Sequence, residues 1–385
     1  MSRKNIIPGI AYDSERNSYY VTMRIPARKG QPAQRVVRCF DCIEDAIRTI
    51  DHFNSNIILA QGDKTSAITL GQWLTYWLEQ MIQPSRTAST THGYNMMIKN
   101  HISPALGYIA LSKLTTVQVQ QYLNAKMESG LSANTVRKHY TLLHNALQHA
   151  VRQEILTRNP VDNVIPPSAS QPVHYYYDSD TMATLFKMLE GSTMEPVVKL
   201  AGYLGLRRSE ICGLKWKNVD RTEKIITIVE TRTTVNGRAV DKSTKTRSSI
   251  RRLGYKGNKD LDEMIERLWA RRLAEMAALG DAYVDGGYVL CHNGGFPYQA
   301  DYLSNRLQRL LNKLDMPYVT LHGLRHSFAS IANSKNVPIF GISKALGHST
   351  TSTTSQIYTH LFDDTHLSVV QAVGEAITEC HPEHE

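Results

Sequence analysis

Between His322 and Tyr358 the chain places an arginine, two histidines and a phenol within fewer than forty residues: His322-Gly-Leu-Arg325, Leu346-Gly-His348, and Tyr358 ten residues further on. These side chains suit attack on a phosphodiester without a metal. Guanidinium and imidazole hold the phosphate, imidazole handles protons, and the phenol is an oxygen nucleophile. A phenol ionises near pH ~10, so it needs a cationic surrounding to act at neutral pH. A second arginine-bearing segment, Gly205-Leu206-Arg207-Arg208-Ser209-Glu210, lies upstream.

Each of these residues must be carried by an element. Val197–Leu206 reads as an apolar helix, with Gly202 and Gly205 allowing close packing at its end. Glu210 falls one helical turn after Arg207, where it can hold the guanidinium in position. An isolated Arg-Arg pair is ordinarily a solvated helix end, so the surrounding sequence has to decide its role. His322, Arg325 and His326 share one helical face. His322 and His326 also have metal-pair spacing, but no glutamate base or third ligand accompanies them. His348 follows a helix over 338–346 that Gly347 can end, and Tyr358 follows a Ser/Thr-rich run over 349–355.

The wider chain divides by pattern. Short strands are expected around Ile10–Tyr12, Tyr19–Ile25 and Gln34–Phe40, followed by a helix from Asp41, three residues before Glu44, to about Ile58. Leu70, Trp73, Leu74, Trp77 and Leu78 form one helical stripe, read as core rather than as a base-stacking platform. More helices are expected near Tyr94–His101, Thr116–Lys126 and Ala133–Glu154, the last two capped by Thr115 and Ser132. Pro160, Pro166, Pro167 and Pro172 then keep the chain extended. Beyond them, Asn236-Gly237 signals a hairpin and Ser248–Leu253 a returning strand. Helices are expected near Leu261–Leu279, Ala300–Leu314, His322–Asn333, Ile339–Leu346 and Ser352–Tyr358. The Tyr175–Tyr177 run is assigned to packing at the start of the next helix.

Composition narrows the partners. The net charge of +9 is unevenly spread: residues 1–38 net +6, residues 66–170 net +4 and the remainder nets −1, which suggests a nucleic-acid footprint. No apolar run is long enough to span a membrane and the N-terminus opens no signal-like apolar stretch, so a cytoplasmic location is expected. Five scattered cysteines argue against a disulfide framework, and Cys39-x-x-Cys42 with His52 lacks the second half of a zinc site. No metal and no cofactor are expected.

Taken together, Gly-Leu-Arg-x-Ser-Glu continuing as Ile-Cys-Gly-Leu-Lys-Trp, then His-x-x-Arg, Leu-Gly-His and Tyr358 followed by Thr-His, resemble the tyrosine recombinase (phage integrase) family over nearly the whole chain. The resemblance implies that Arg207 (rather than Arg208), His322, Arg325, His348 and Tyr358 are catalytic, with Glu210 supporting Arg207. It implies a leaving-group lysine in a β-hairpin, for which Lys245 in Lys245-Thr-x-Ser-Ser-x-Arg251 fits and Lys242 is the rival. The fold implied is multidomain. Residues 1–62 would be a small β/α arm-binding domain (three-stranded sheet plus helix) and 66–165 an all-α core-binding domain. Residues 166–177 would be a linker, and 178–385 a mixed, mainly-α catalytic domain with a short antiparallel sheet and a C-terminal tail. Arg24, Arg28, Lys29 and Arg35 are the expected arm contacts, with Lys99, Arg137 and Lys138 contacting the core site. The partners implied are double-stranded DNA at core and arm sites, three further copies of the chain in a tetramer on DNA, and an excisionase or a host DNA-bending protein. The implied setting is the nucleoid of a prokaryotic cell. A type IB topoisomerase would share the chemistry, and a DNA-binding regulator would share the architecture. The basic N-terminal module and the Leu-Gly-His segment favour a recombinase over the first, and the full set of catalytic types over the second.

Overall fold

A computed structural model of the chain describes residues 3–7, 9–25, 34–47, 49–50, 68–169, 175–235, 237–243 and 250–347. The chain divides into two compact units, Met1–Pro172 and Val173–Glu385, and the division falls within the proline-rich stretch.

The first unit opens with an antiparallel sheet of β1 (Arg3–Ile7), β2 (Ile10–Asp13), β3 (Ser18–Ile25) and β4 (Gln34–Phe40), in that order. It has four strands where three were expected. The additional strand carries no alternation of its own. It pairs with β2 through a register break between Asn5 and Ile7, next to Gly9 at φ +87°. Ile10, Val21 and Met23 pack there against Ala46 and Ile50. Helix α1 opens at residue 43, and its expected end near Ile58 lies outside the described residues.

A helical body follows: α2 (Leu70–Trp77), α3 (Ala88–Met97), α4 (Ser103–Leu106), α5 (Thr116–Glu128) and α6 (Ala133–Arg152). Thr69 and Thr115 open α2 and α5 with reciprocal capping boxes to Gln72 and Gln118, and the Ser132 hydroxyl caps α6. All five residues of the expected stripe are buried. Trp73 Nε1 donates to the Ala146 carbonyl at 3.0 Å and Trp77 Nε1 to His149 Nδ1 at 3.0 Å. Both indoles are therefore interior anchors of α2 on α6, and truncating either to alanine would cost about 3–5 kcal/mol.

The second unit holds α7 (Ser179–Met188), α8 (Glu195–Leu204), α9 (Arg208–Gly213), strands β5 (Val219–Asp220), β6 (Ile225–Ile228), β7 (Glu230–Val235), β8 (Arg238–Ser243) and β9 (Arg251–Gly254), then α10 (Lys259–Leu279), α11 (Ala300–Lys313), α12 (Leu321–Ser334) and α13 (Ile339–Leu346). The expected single sheet is two pieces: β5-β6-β9, and the separate hairpin β7-β8. Burial explains the split. Ile226 and Ile228 of β6 enter the core, whereas β7 is half-buried until Val235. Gly213 lets β7 approach α9, since a Cβ there would lie 2.8 Å from the Arg232 nitrogen. The returning strand begins at Arg251 and pairs with β6, not with the hairpin. Of the three tyrosines only Tyr177 is buried, with its N–H on Ser327 Oγ at 2.7 Å and its hydroxyl on the Pro317 carbonyl. Tyr175 and Tyr176 are exposed. No helix among the described residues is long and apolar enough to cross a membrane.

Candidate active site

Helix α8 stops at Gly205, which adopts φ +60°. A Cβ there would lie 2.8 Å from both Leu346 Cδ2 and Phe328 Cδ1, so the turn is pressed against α12 and α13. Leu206 is buried, and Arg207 is the extended residue that precedes α9. Glu210, one turn later, accepts the Arg207 backbone N–H at 2.7 Å and Arg207 Nη1 at 2.8 Å. The helix N-terminus favours a carboxylate at this position. Arg208 turns away to Asp301 at 3.2 Å and Ser304 at 2.8 Å on α11. Arg207 alone of the pair joins the cluster.

Glu210 is shared by more than one arginine. Arg251 reaches it with both terminal nitrogens, Nη1 to Oε1 at 2.9 Å and Nη2 to Oε2 at 2.8 Å. Arg325 Nη1 lies 3.9 Å from Oε2. Burial of the Glu210 side chain, 1% exposed, pushes its carboxyl up. The hydrogen bonds and charge of Arg251, then the backbone and charge of Arg207, more than offset that and hold it at about 2. The carboxylate stays ionised in the interior.

The same three guanidiniums converge on the end of α13. Arg251 Nε donates to the Ala345 carbonyl at 2.7 Å, Arg325 Nη2 to Leu346 at 2.5 Å, and Arg207 Nη2 to Gly347 at 3.2 Å. Arg325 Nη1 also donates to the Gly205 carbonyl at 2.6 Å, joining the two glycine-ended helices. A helix leaves its last carbonyls without intrahelical partners and its C-terminus partly negative, so cations are favoured there. Gly347, at φ +64°, gives Arg251 room: a Cβ would lie 3.1 Å from Nη1. The next residue is His348. The side chains of Arg325 and Arg251 are 2% and 6% exposed, whereas that of Arg207 is 33% exposed. Arg207 is the guanidinium with an open face.

Helix α12 starts where the Thr320 hydroxyl accepts the Gly323 N–H. His322 is exposed in its first turn and His326 is buried, with the two rings edge-to-face at 4.6 Å. Of these two histidines, His322 is the one open to a solvent-borne substrate. The structure thus brings Arg207, Glu210 and Arg325 together and places His322 one helical turn from Arg325 on the same helix.

Lys245, His348, Tyr358, Arg28 and Lys29 lie outside the described residues. Arg24 stands opposite Arg35 in the β3–β4 register, and Arg35, Lys99 and Lys138 are exposed. Arg137 is half-buried and donates to the Pro167 carbonyl at 2.8 Å, tying α6 to the proline-rich stretch. The residue without a role in the sequence reading is Arg251. Its signal was its phase: Arg251 and Leu253 of β9 point inward while Arg252 and Gly254 point outward. An arginine in step with a core leucine requires a buried partner. Among the described residues no group of three or more His, Cys, Asp or Glu side chains could hold a metal ion.

Residues 178–365 match the family model described as the phage integrase family, and residues 69–127 match that of the phage integrase N-terminal SAM-like domain. The chain belongs to the phage integrase family. It is a tyrosine recombinase, a DNA strand-transfer enzyme of site-specific recombination. A tyrosine recombinase XerC-like protein of Caldanaerobacter subterraneus is 26% identical over 327 residues, covering 80% of this chain and 83% of the relative. The ICEBs1 integrase of Bacillus subtilis is 27% identical over 269 residues, covering 69% and 72%. This integrase also shares its fold with solved structures. The Tn1549 transposon integrase in complex with a circular intermediate DNA aligns with TM-score 0.67 at 19% identity, covering 80% of this chain and 100% of that one. A lambda integrase tetramer bound to a Holliday junction aligns with TM-score 0.57 at 18% identity, covering 90% and 97%.

Proposed function

We propose that Tyr358 is the nucleophile and that Arg207, Arg325 and His348 stabilise the charge of the pentacoordinate transition state. The Tyr358 oxygen attacks the scissile phosphorus and gives its proton to His322. The phosphorus–O5′ bond breaks, and Lys245 protonates the departing 5′ oxygen. A 3′-phosphotyrosyl link is left, and its bond energy is conserved. Attack by the 5′ hydroxyl of a partner strand reverses the step on new ends, so the chemistry needs neither ATP nor a metal. The observation that carries this reading is the surplus of positive charge around Glu210. Three guanidiniums face one carboxylate where the chain enters His348, and Arg207 keeps part of its fork exposed.

The substrate is double-stranded DNA, and two duplexes require four protomers. Residues 66–165 bind the core site through Lys99, Arg137 and Lys138, residues 166–177 span the duplex, and residues 178–385 carry the chemistry and a docking tail. Residues 1–62 bind arm sites through Arg24, Arg28, Lys29 and Arg35, with an excisionase or a host DNA-bending protein setting direction. The reaction takes place on DNA in the prokaryotic cytoplasm. A nicked suicide substrate tests the central claim: Tyr358→Phe binds site DNA like the unmodified protein and forms no covalent adduct. Adduct at the unmodified level would remove Tyr358 from the role. Deleting residues 1–62 abolishes integration while core-site cleavage persists; equal loss of both would make that module structural.

A further inference from the structure

Arg251 differs from the other two arginines of the cluster. All three of its nitrogens bond inside the protein, to Glu210 Oε1 and Oε2 and to the Ala345 carbonyl, and its side chain is 6% exposed. Its partners lie 41 and 94 residues away in sequence. Glu210 orients Arg207 by the backbone and the guanidinium, while Ala345 sits three residues before His348. One planar fork therefore connects the carboxylate that aims an open arginine to the carbonyl end of α13.

We propose that Arg251 is a positioning residue for strand cleavage, clamping Glu210 to the α13 terminus so that Arg207 is presented to the scissile phosphate. The inference rests on the role proposed above for Arg207. Arg251 itself does not touch the DNA. Lysine cannot replace it, because an ammonium is a point charge without the planar fork that meets two carboxylate oxygens and a carbonyl at once. Arg251→Lys thus keeps the charge and loses the geometry.

The test is single-turnover cleavage by the full chain on a nicked suicide duplex, run with an ordinary scissile phosphate and with a methylphosphonate that lacks the non-bridging negative charge. Arg251→Lys should bind site DNA as tightly as the unmodified protein and cleave the phosphate about 100-fold more slowly, the usual cost of misplacing a catalytic group by about an ångström. On the methylphosphonate the penalty should shrink to a few-fold, since less charge remains for the misplaced cations to stabilise. A variant that merely lowers the folded fraction loses the same factor on both substrates, and that result would overturn the proposal. So would cleavage at the unmodified rate, or failure of both Arg251→Lys and Arg251→Met to fold. The parent reading is judged separately: if Tyr358→Phe forms adduct or Arg207→Ala cleaves normally, the proposed catalytic set fails whatever Arg251 does.

Discussion

Two ionic clusters, each built on a buried carboxylate, lie in the second unit, and they differ in charge balance. Around Lys199, Glu195 accepts from Lys199 at 2.7 Å and from Arg267 at 2.6 Å, and Asp260 accepts from Lys199 and from the Tyr203 hydroxyl. Two acids meet two bases, and the cluster joins α8 to α10. Around Glu210 a single carboxylate meets Arg207, Arg251 and Arg325. The first arrangement satisfies its own charges. The second leaves positive charge over, which the protein partly offsets with carbonyls of a helix C-terminus. Removing charges from water is costly, so an unbalanced buried cluster is weak as a stabilising device. It makes sense beside an anion that arrives from solution, which is what a phosphodiester supplies.

The largest expected effect comes from Glu210→Gln. Loss of the carboxylate leaves Arg251 and Arg325 buried without it, which should cost about 3–5 kcal/mol of unfolding free energy. Single-turnover cleavage by the protein that remains folded should also fall by about 100-fold or more, because Arg207 loses its orienting partner. A urea titration and an adduct assay read the two effects. If stability drops and cleavage per folded molecule does not, the two clusters are alike and the contrast collapses.

Lys199→Met should give the complementary result. It removes the cation shared by Glu195, which keeps Arg267, and by Asp260, which keeps the Tyr203 hydroxyl, and should destabilise by about 1–3 kcal/mol, yet the cleavage rate per folded molecule should remain unchanged. A rate loss matching that of Glu210→Gln would place Lys199 in the catalytic machinery.

Acid titration sharpens the same difference. The Glu210 carboxyl sits at about 2 in the folded chain against an ordinary 4.5. Its folded value is depressed, so its contribution is fully present above pH 4.5 and declines as pH falls from there toward 2. Over that window it amounts to about 3 kcal/mol. Urea midpoints of the unmodified protein and Glu210→Gln should converge as pH falls from 5 to 3; a gap that stays constant would mean the carboxylate is not held by its arginines.

Much of the scaffold was legible because it depends on nearby residues. The Leu70–Leu78 stripe, the Thr115 and Ser132 caps, the two-residue turn of the β7–β8 hairpin and the glycine stop at Gly347 all follow from helical or strand period and local backbone freedom. The extra strand Arg3–Ile7 was not legible, because it has no pattern of its own and exists only by pairing with β2. Likewise, the division of the expected sheet depended on which segment β9 chose, and Ile226 and Ile228 decided it by burial.

The catalytic region divides along the same line. Sequence alone determined the residue types and the short spacings: Arg207 with Glu210 one turn away, His322 with Arg325 on one helical face, and Gly347 before His348. Helix geometry is a property of a few consecutive residues, so spacing suffices to specify it. Only the tertiary structure decided that Arg251 belongs with Glu210, that three arginines each take one of the consecutive carbonyls of Ala345, Leu346 and Gly347, and that Arg207 keeps an open face while Arg325 is enclosed. Burial of a charge depends on what distant segments place around it, and no local pattern encodes that.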